Sequence, residues 1–195
     1  MNGLHYSAAF VGQATADALL ASIDAAPWLN DLRRRVQHYG YRYDYRARAA
    51  RPEDYLGPLP GWADDLARRL FAEGHFEHVP DQVIVNEYEP GQGIAAHIDC
   101  EPCFGPTIAS ISLGSATVME FIKAGADGDA GQREGRREQM LLEPGSLLVL
   151  SGPARYEWQH CIPARKTDPD LLGGSSERLP RGRRVSLTFR TMAFD

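Results

Sequence analysis

Apolar residues recur at the three-to-four spacing of a helix in two stretches of the chain, and most of the remainder alternates. TADALLASIDAAPW (15–28) carries the helical spacing, with Thr15 placed to cap its start and Pro27 to stop it. GWADDLARRLFAEG (61–74) repeats it, and Gly74 closes the segment. Between them RRRVQHYGYRYDY (33–45) alternates and is rich in tyrosine, which predicts a strand with a mobile tip near Gly40. RARAARPEDYLGPLPG (46–61) has the residues of a loop.

After Pro80 the pattern changes to short strand-like runs separated by turn residues. They cover 82–88, 93–99, 107–114, 116–124, 137–143, 145–152, 155–162 and 183–192. This spacing predicts a mainly β fold with flanking N-terminal helices, either an antiparallel sandwich or a jelly roll. The glycine-rich 125–137 is expected to be a hairpin tip. The 163–182 connection is longer than a compact domain usually leaves idle.

Composition narrows the class. The chain has 195 residues, enough for one domain with a sizeable core, and no apolar run approaches the ~20 residues that span a bilayer. MNGLHYSAAFVG lacks the charged and then apolar pattern of a secretory leader, so none is expected. The formal net charge of −5 excludes nucleic-acid binding driven by global charge and leaves only a local patch. Three cysteines fit a reducing cytoplasm better than a disulfide framework. Cys100 and Cys103 have CxxC spacing, but no second CxxC completes a zinc site. No βαβ context suggests a thioredoxin-like pair, so all three cysteines are read as structural. On strands, Cys100 and Cys161 would point away from the neighbouring ligand candidates.

The candidate chemistry starts at NEYEPGQGIAAHID (86–99). His97 and Asp99 lie two apart and share a strand face. Two histidines and a carboxylate on one face of Fe(II) leave positions open for a co-substrate and oxygen. Of the six histidines only His160 follows His97, and it lies in a strand-like run. An isolated histidine there would more often be a satisfied, partly buried one. In RRVSLTFR, Arg184, Ser186, Thr188 and Arg190 share one face, with Val185, Leu187 and Phe189 on the other. Such a polar face is usually solvated. A dicarboxylate co-substrate, however, needs a cationic anchor at its far end and a second polar contact near the metal, and arginine is a forked, always-charged partner for a carboxylate.

In this order the motifs resemble the AlkB family of Fe(II)- and 2-oxoglutarate-dependent dioxygenases. The residues that carry the resemblance are Asn86-x-Tyr88, Pro90-Gly91, His97-x-Asp99, SISLGS (110–115), PGSLLVLSGPARYEWQH (144–160) and Arg184-x-Ser186-x-x-x-Arg190. The resemblance implies a double-stranded β-helix, the jelly-roll form. It implies one domain over 1–195, with N-terminal helices and a substrate lid in 1–80 and the catalytic core in 81–195. It implies iron held by His97, Asp99 and His160. Arg184 would meet the distal carboxylate of 2-oxoglutarate, helped by Tyr88 and Ser186, with Arg190 and Asn86 near the other end. Ser186 stands where many DNA-repair members have asparagine, so reduced contact is expected there. Fe(II), 2-oxoglutarate and O2 are the implied cofactor and co-substrates.

The implied reaction oxidises an alkyl group on a flipped or single-stranded nucleic-acid base, by demethylation or stable hydroxylation. Tyr39, Tyr41, Arg42, Tyr43 and Arg46 lie where the family builds its lid, to stack a base and meet phosphate. Glu101 lies where DNA-repair relatives accept a hydrogen bond from the base. The plain alternatives are tyrosines packed in the sheet and a solvated glutamate. YGYRYDY, RYEWQH and RKTD are most similar to the branch that hydroxylates a modified wobble uridine in tRNA. Its animal members add RNA-binding and methyltransferase domains, which these 195 residues do not contain. The partner is expected to be nucleic acid, with no membrane, and the protein a cytoplasmic monomer. Two other readings stay open: the same chemistry on a protein side chain or small molecule, and a non-catalytic binding module with a relict site.

Overall fold

Both helices form because one face of each is apolar. In a computed structural model that describes residues 1–30, 32–123, 135–173 and 177–194, α1 spans Gln13–Asp24 and α2 spans Gly61–Ala72. Ala16, Leu19 and Ile23 are buried on α1, and Ala63, Leu66, Ala67 and Leu70 on α2, the i, i+3, i+4, i+7 stripe of a one-sided helix. Gly74 follows α2 with φ +80°. α1 starts two residues before the expected cap: Gly12 is the N-cap, and the helix ends at Asp24, ahead of Pro27. Thr15 lies inside its first turn.

The strands are β1 (Leu4–Ser7), β2 (Val36–Tyr39), β3 (Gln82–Tyr88), β4 (Ile94–His97), β5 (Phe104–Gly114), β6 (Thr117–Lys123), β7 (Arg137–Leu142), β8 (Leu147–Ser151), β9 (Trp158–Ile162), β10 (Thr167–Pro169), β11 (Arg178–Pro180) and β12 (Arg184–Met192). A six-stranded sheet has the order β1-β8-β5-β12-β3-β2, and a four-stranded sheet the order β4-β9-β6-β7. All their pairings are antiparallel. This is the jelly roll expected from the strand-like runs. No described helix is long and apolar enough to cross a membrane.

Central β12 shows how the two faces divide. Val185, Leu187 and Phe189 are fully buried in a core shared with α1 and α2. Arg184, Ser186 and Arg190 point the other way and are also buried, so this polar face is enclosed and not solvated. β2 obeys the same alternation. Val36 pairs with Asn86 and His38 with Ile84, whereas Gln37 and Tyr39 pair with Val85 and Val83 on the helix-packed side.

Four expectations need correction. The 33–45 strand is only β2, because Gly40 turns the chain with φ +76°; isolated bridges at Tyr41 and Asp44 follow. The 155–162 run is split: Gly152–Tyr156 forms a short helix, α3, led by Pro153, before β9 begins at Trp158. The 163–182 connection contains the two-stranded β10·β11 sheet. The cysteines are not all unpaired structural residues: Cys100 and Cys103 form a disulfide, and Cys161 is a free buried thiol. β4 ends at His97, so Cys100 sits in a turn where strand alternation does not apply. Most of 125–137 lies outside the described residues.

The 163–182 segment is fastened by Asp168. Its buried carboxylate accepts hydrogen bonds from Arg181, from Arg165, from the Val118 amide and from the Thr117 hydroxyl. Burial pushes its pKa up, but Arg181, the amide and Arg165 outweigh that and leave it below the ordinary carboxylate value. A depressed carboxyl stabilises the fold above its unfolded pKa and loses that contribution as pH falls through the folded one. Asp168→Asn should therefore lower stability by roughly 1–3 kcal/mol at neutral pH. The gap to the parent should narrow once pH falls below ~4. Urea denaturation at both pH values checks this; an equal gap at both would refute it.

Candidate active site

A cavity of about 850 Å3 opens between the two sheets. At its centre the backbone register places two imidazoles side by side: His97 of β4 is the cross-strand partner of His160 of β9, and their rings lie 4.4 Å apart. Asp99, two residues beyond His97, brings a carboxylate oxygen to 3.6 Å from His97 Nε2. One ligand-type atom from each of the three residues lies within 4.8 Å of the other two. The sequence-predicted triad is thus brought together.

The protonation states suit a divalent metal. Burial pushes the Asp99 pKa up, but Arg190, His160, His97 and Arg155 outweigh it and hold the carboxyl well below its usual range. Burial pushes His160 down to about 4 against the pull of Asp99, which leaves the ring neutral. Metal binding needs an ionised carboxylate and unprotonated imidazole. His97 Nδ1 lies 2.8 Å from the Ala95 carbonyl oxygen. A carbonyl only accepts, so Nδ1 carries the proton and Nε2 is free to ligate. Arg155, at the end of α3, donates to the Asp99 and Cys100 carbonyls and so fixes the turn that carries the carboxylate.

The deep end is built for an anion. Arg184 is 3% exposed and donates from Nη2 to Ser112 Oγ at 2.8 Å. Its Nε is buried without a hydrogen-bond partner, and among the described residues it has no ion-pair partner. Burial pushes its pKa down to about 10, still charged at neutral pH. An uncompensated buried cation costs several kcal/mol, and an anionic ligand would offset that cost. The Tyr88 ring lies 5.5 Å from this guanidinium, and Ser186 is hydrogen-bonded to Ser110 at 2.9 Å. These residues fit the distal carboxylate of 2-oxoglutarate. Arg190 is already engaged: it reaches Asp99 at 3.3 and 3.5 Å and Gln82 at 3.1 Å. Asn86 lines the same wall.

At the mouth the placement differs from the sequence reading. Tyr43 and Glu101 line the cavity, but Tyr39, Tyr41, Arg42 and Arg46 do not. Tyr39 lies on the helix-packed face of β2 and stands edge-on to Trp62. Tyr41 packs on Tyr55 and Phe194. Instead Arg34, Tyr45 and Arg48 join Tyr43. Tyr43 meets Tyr45 edge-on at 5.1 Å and leans on Phe104 at 5.6 Å. The alternation of YGYRYDY breaks at Gly40, so strand parity could not choose among these tyrosines. The Asp44 side chain, which accepts from the Arg46 and Ala47 amides, was the available signal for the turn.

Known proteins resemble this chain in sequence and in fold. The sequence model of the 2OG-Fe(II) oxygenase superfamily matches residues 23–190. A zebrafish (Danio rerio) protein named probable RNA/DNA demethylase ALKBH6 is 31% identical over 96% of this chain and 84% of its own length. The mouse (Mus musculus) tRNA (carboxymethyluridine(34)-5-O)-methyltransferase ALKBH8 is 38% identical over 80% of this chain, a match that spans 24% of the mouse protein. The solved structure of OsALKBH1 superposes with a TM-score of 0.59 at 20% identity, over 97% of this chain and 96% of that one.

The triad makes a direct prediction. At ~100-fold excess over its Kd, Mn(II) should add about 2–3 kcal/mol to the stability of the parent, roughly 5–10 °C in Tm. In His160→Ala most of that rise should vanish. A rise of the same size in the variant, read by calorimetry, would place the metal elsewhere.

Proposed function

We propose the following function for this chain, which belongs to the 2OG-Fe(II) oxygenase superfamily and, within it, to the AlkB family: it oxidises alkyl groups on nucleic-acid bases. The chain is a 2-oxoglutarate-dependent iron dioxygenase. The base as target is the proposed part, and demethylation and stable hydroxylation are its two outcomes. It rests on one observation: a cavity that runs from an uncompensated arginine, past a His-Asp-His cluster, to a mouth of two tyrosines flanked by arginines.

When bound, iron(II) couples oxidative decarboxylation of 2-oxoglutarate by O2 to oxidation of a substrate C–H bond. The chain's own groups do the rest. His97, Asp99 and His160 hold the metal, with the Asp99 carboxylate offsetting its charge. Arg184 binds the far carboxylate of the co-substrate, and Ile94, Met119, Leu148 and Ile162 wall that space against water. Tyr43 and Tyr45 offer aromatic faces to a base drawn out of its stack. Arg34 and Arg48 supply cations at the mouth, where the phosphates of such a strand would lie. Glu101, exposed at the cavity edge, accepts from an exocyclic amine.

Two measurements test the reading. With Fe(II) and 2-oxoglutarate, a panel of singly modified DNA and RNA oligonucleotides should stimulate succinate release. Mass spectrometry should show loss of a methyl group or gain of one oxygen on the base. Turnover confined to peptides would sink the nucleic-acid reading. Arg184→Ala should raise the KM for 2-oxoglutarate about 100-fold, the ~3 kcal/mol expected when a desolvated ion pair loses one member. An unchanged KM would remove Arg184 from the co-substrate site.

A further inference from the structure

Arg34 precedes β2 and is not among the lid residues that the sequence reading singled out. Its Nε donates to Asn86 Oδ1 at 2.8 Å. Its guanidinium carbon lies 5.6 Å from the Tyr45 ring centroid. Both contacts line the cavity: Asn86 on the wall of β3, Tyr45 at the mouth. One planar group therefore touches the co-substrate wall and the aromatic lid together.

The contact with Asn86 settles an ambiguity of that side chain. An amide carries an acceptor on one side and a donor on the other, and either can turn toward the cavity. A guanidinium has donors only. With Arg34 on one side, the amide oxygen must face it, which turns Nδ2 toward the opposite side. Asn86 is 7% exposed, and among the described residues its Nδ2 has no hydrogen-bond partner. The cavity then meets an N–H donor at this point of β3, opposite Ser186 in the register. A carboxylate, which accepts only, is matched by that orientation and repelled by the reverse one.

We infer that Arg34 is a positioning residue that locks the Asn86 amide in its donor orientation toward the co-substrate and ties that orientation to Tyr45 of the lid. The inference rests on the reading that Asn86 faces 2-oxoglutarate. An unlocked amide spends part of its time with oxygen toward the carboxylate, so affinity falls. The lid loses its cationic contact in the same step. The donor-only character of residue 34 is the operative property. Lysine shares it and glutamine does not.

The test is binding, separate from turnover. Titration calorimetry of 2-oxoglutarate into Mn(II)-loaded protein under anaerobic conditions is run on the parent, Arg34→Ala, Arg34→Lys, Arg34→Gln, Asn86→Ala and the Arg34→Ala/Asn86→Ala double variant. Arg34→Ala and Arg34→Gln should each weaken binding about tenfold, the scale of one oriented hydrogen bond. Arg34→Lys should stay within about threefold of the parent. In the Asn86→Ala background, removing Arg34 should change nothing further, since the amide it orients is gone. If Asn86→Ala binds like the parent, Asn86 does not face the co-substrate, and the underlying placement fails. If Asn86→Ala weakens binding while Arg34→Ala and Arg34→Gln do not, the placement stands and the positioning role is overturned. If the Arg34 and Asn86 losses simply add, Arg34 acts on the ligand directly, which also overturns it.

Discussion

The pairing of His97 with His160 across β4 and β9 is the constraint on which the site depends. β4 is four residues long and irregular between Ile94 and His97, so little else fixes its register. Gly93 permits the approach: a Cβ there would stand 2.1 Å from the Ile162 carbonyl oxygen. With any larger residue, β4 would be pushed off β9 and the imidazoles would part. The turn after His97 then swings Asp99 inward, and Arg155 holds that turn by its carbonyls. A three-residue metal site is thus assembled from one cross-strand contact and one anchored turn, both set by backbone.

The charge distribution follows from enclosing that cluster. The chain carries a net charge of −5, yet Arg155, Arg184 and Arg190 are all buried around the cavity. Among the described residues only Arg190 of the three has an ion-pair partner, and Arg155 Nε, like Arg184 Nε, is buried without a hydrogen-bond partner. Arg190 pairs with Asp99, and Arg155 donates to backbone carbonyls. Each lowers the cost of keeping Asp99 ionised away from water. Arg184 has a serine hydroxyl and the Tyr88 ring. Arg155 and Arg190 thus stabilise the ionised Asp99, whereas Arg184 has no ion-pair partner among the described residues, and global charge carries no trace of this.

The legible parts of the sequence were those where local pattern and tertiary role coincide. β3 and β12 read correctly because strict alternation places core residues on one face and site residues on the other. α2 read correctly because its buried stripe and closing glycine agree. The His97, Asp99 and His160 cluster followed from spacing and order, while the role given to Arg184 came from the family resemblance. The unread parts are those where tertiary contacts override pattern. The 155–162 run alternates like a strand, yet Pro153 opens a helical turn that carries Arg155 to the Asp99 backbone. β10 and β11 are held together because Asp168 draws in both the nearby Arg165 and the more distant Arg181. The disulfide depends on a turn that brings the Cys100 and Cys103 Cα atoms to 5.3 Å, which a count of three cysteines does not reveal.

The lid was the least legible part because it is held by few contacts of low sequence specificity. Beyond Tyr39, the 41–49 segment joins the rest through the Tyr41–Tyr55 bridge, the Arg42 amide on the Asp54 carbonyl, the Tyr41 carbonyl accepting from Gln82, the Tyr43 amide on His38, and aromatic packing on Phe104 and Phe194. The sulfurs of Cys100 and Cys103 also lie against the Arg48 carbonyl, at 3.4 and 3.8 Å, where the backbone takes φ +52°. None of these contacts is made by the triad or Arg184 themselves, so the lid meets them through neighbouring residues such as Gln82 and Cys100. Arg34 is another such link, since it alone among the lid cations described here touches the wall of β3. A lid that evolved freely elsewhere would still be bound at residue 34 to a donor-only side chain. Specificity is consequently expected to vary through Tyr43, Tyr45 and Arg48 before it varies through Arg34.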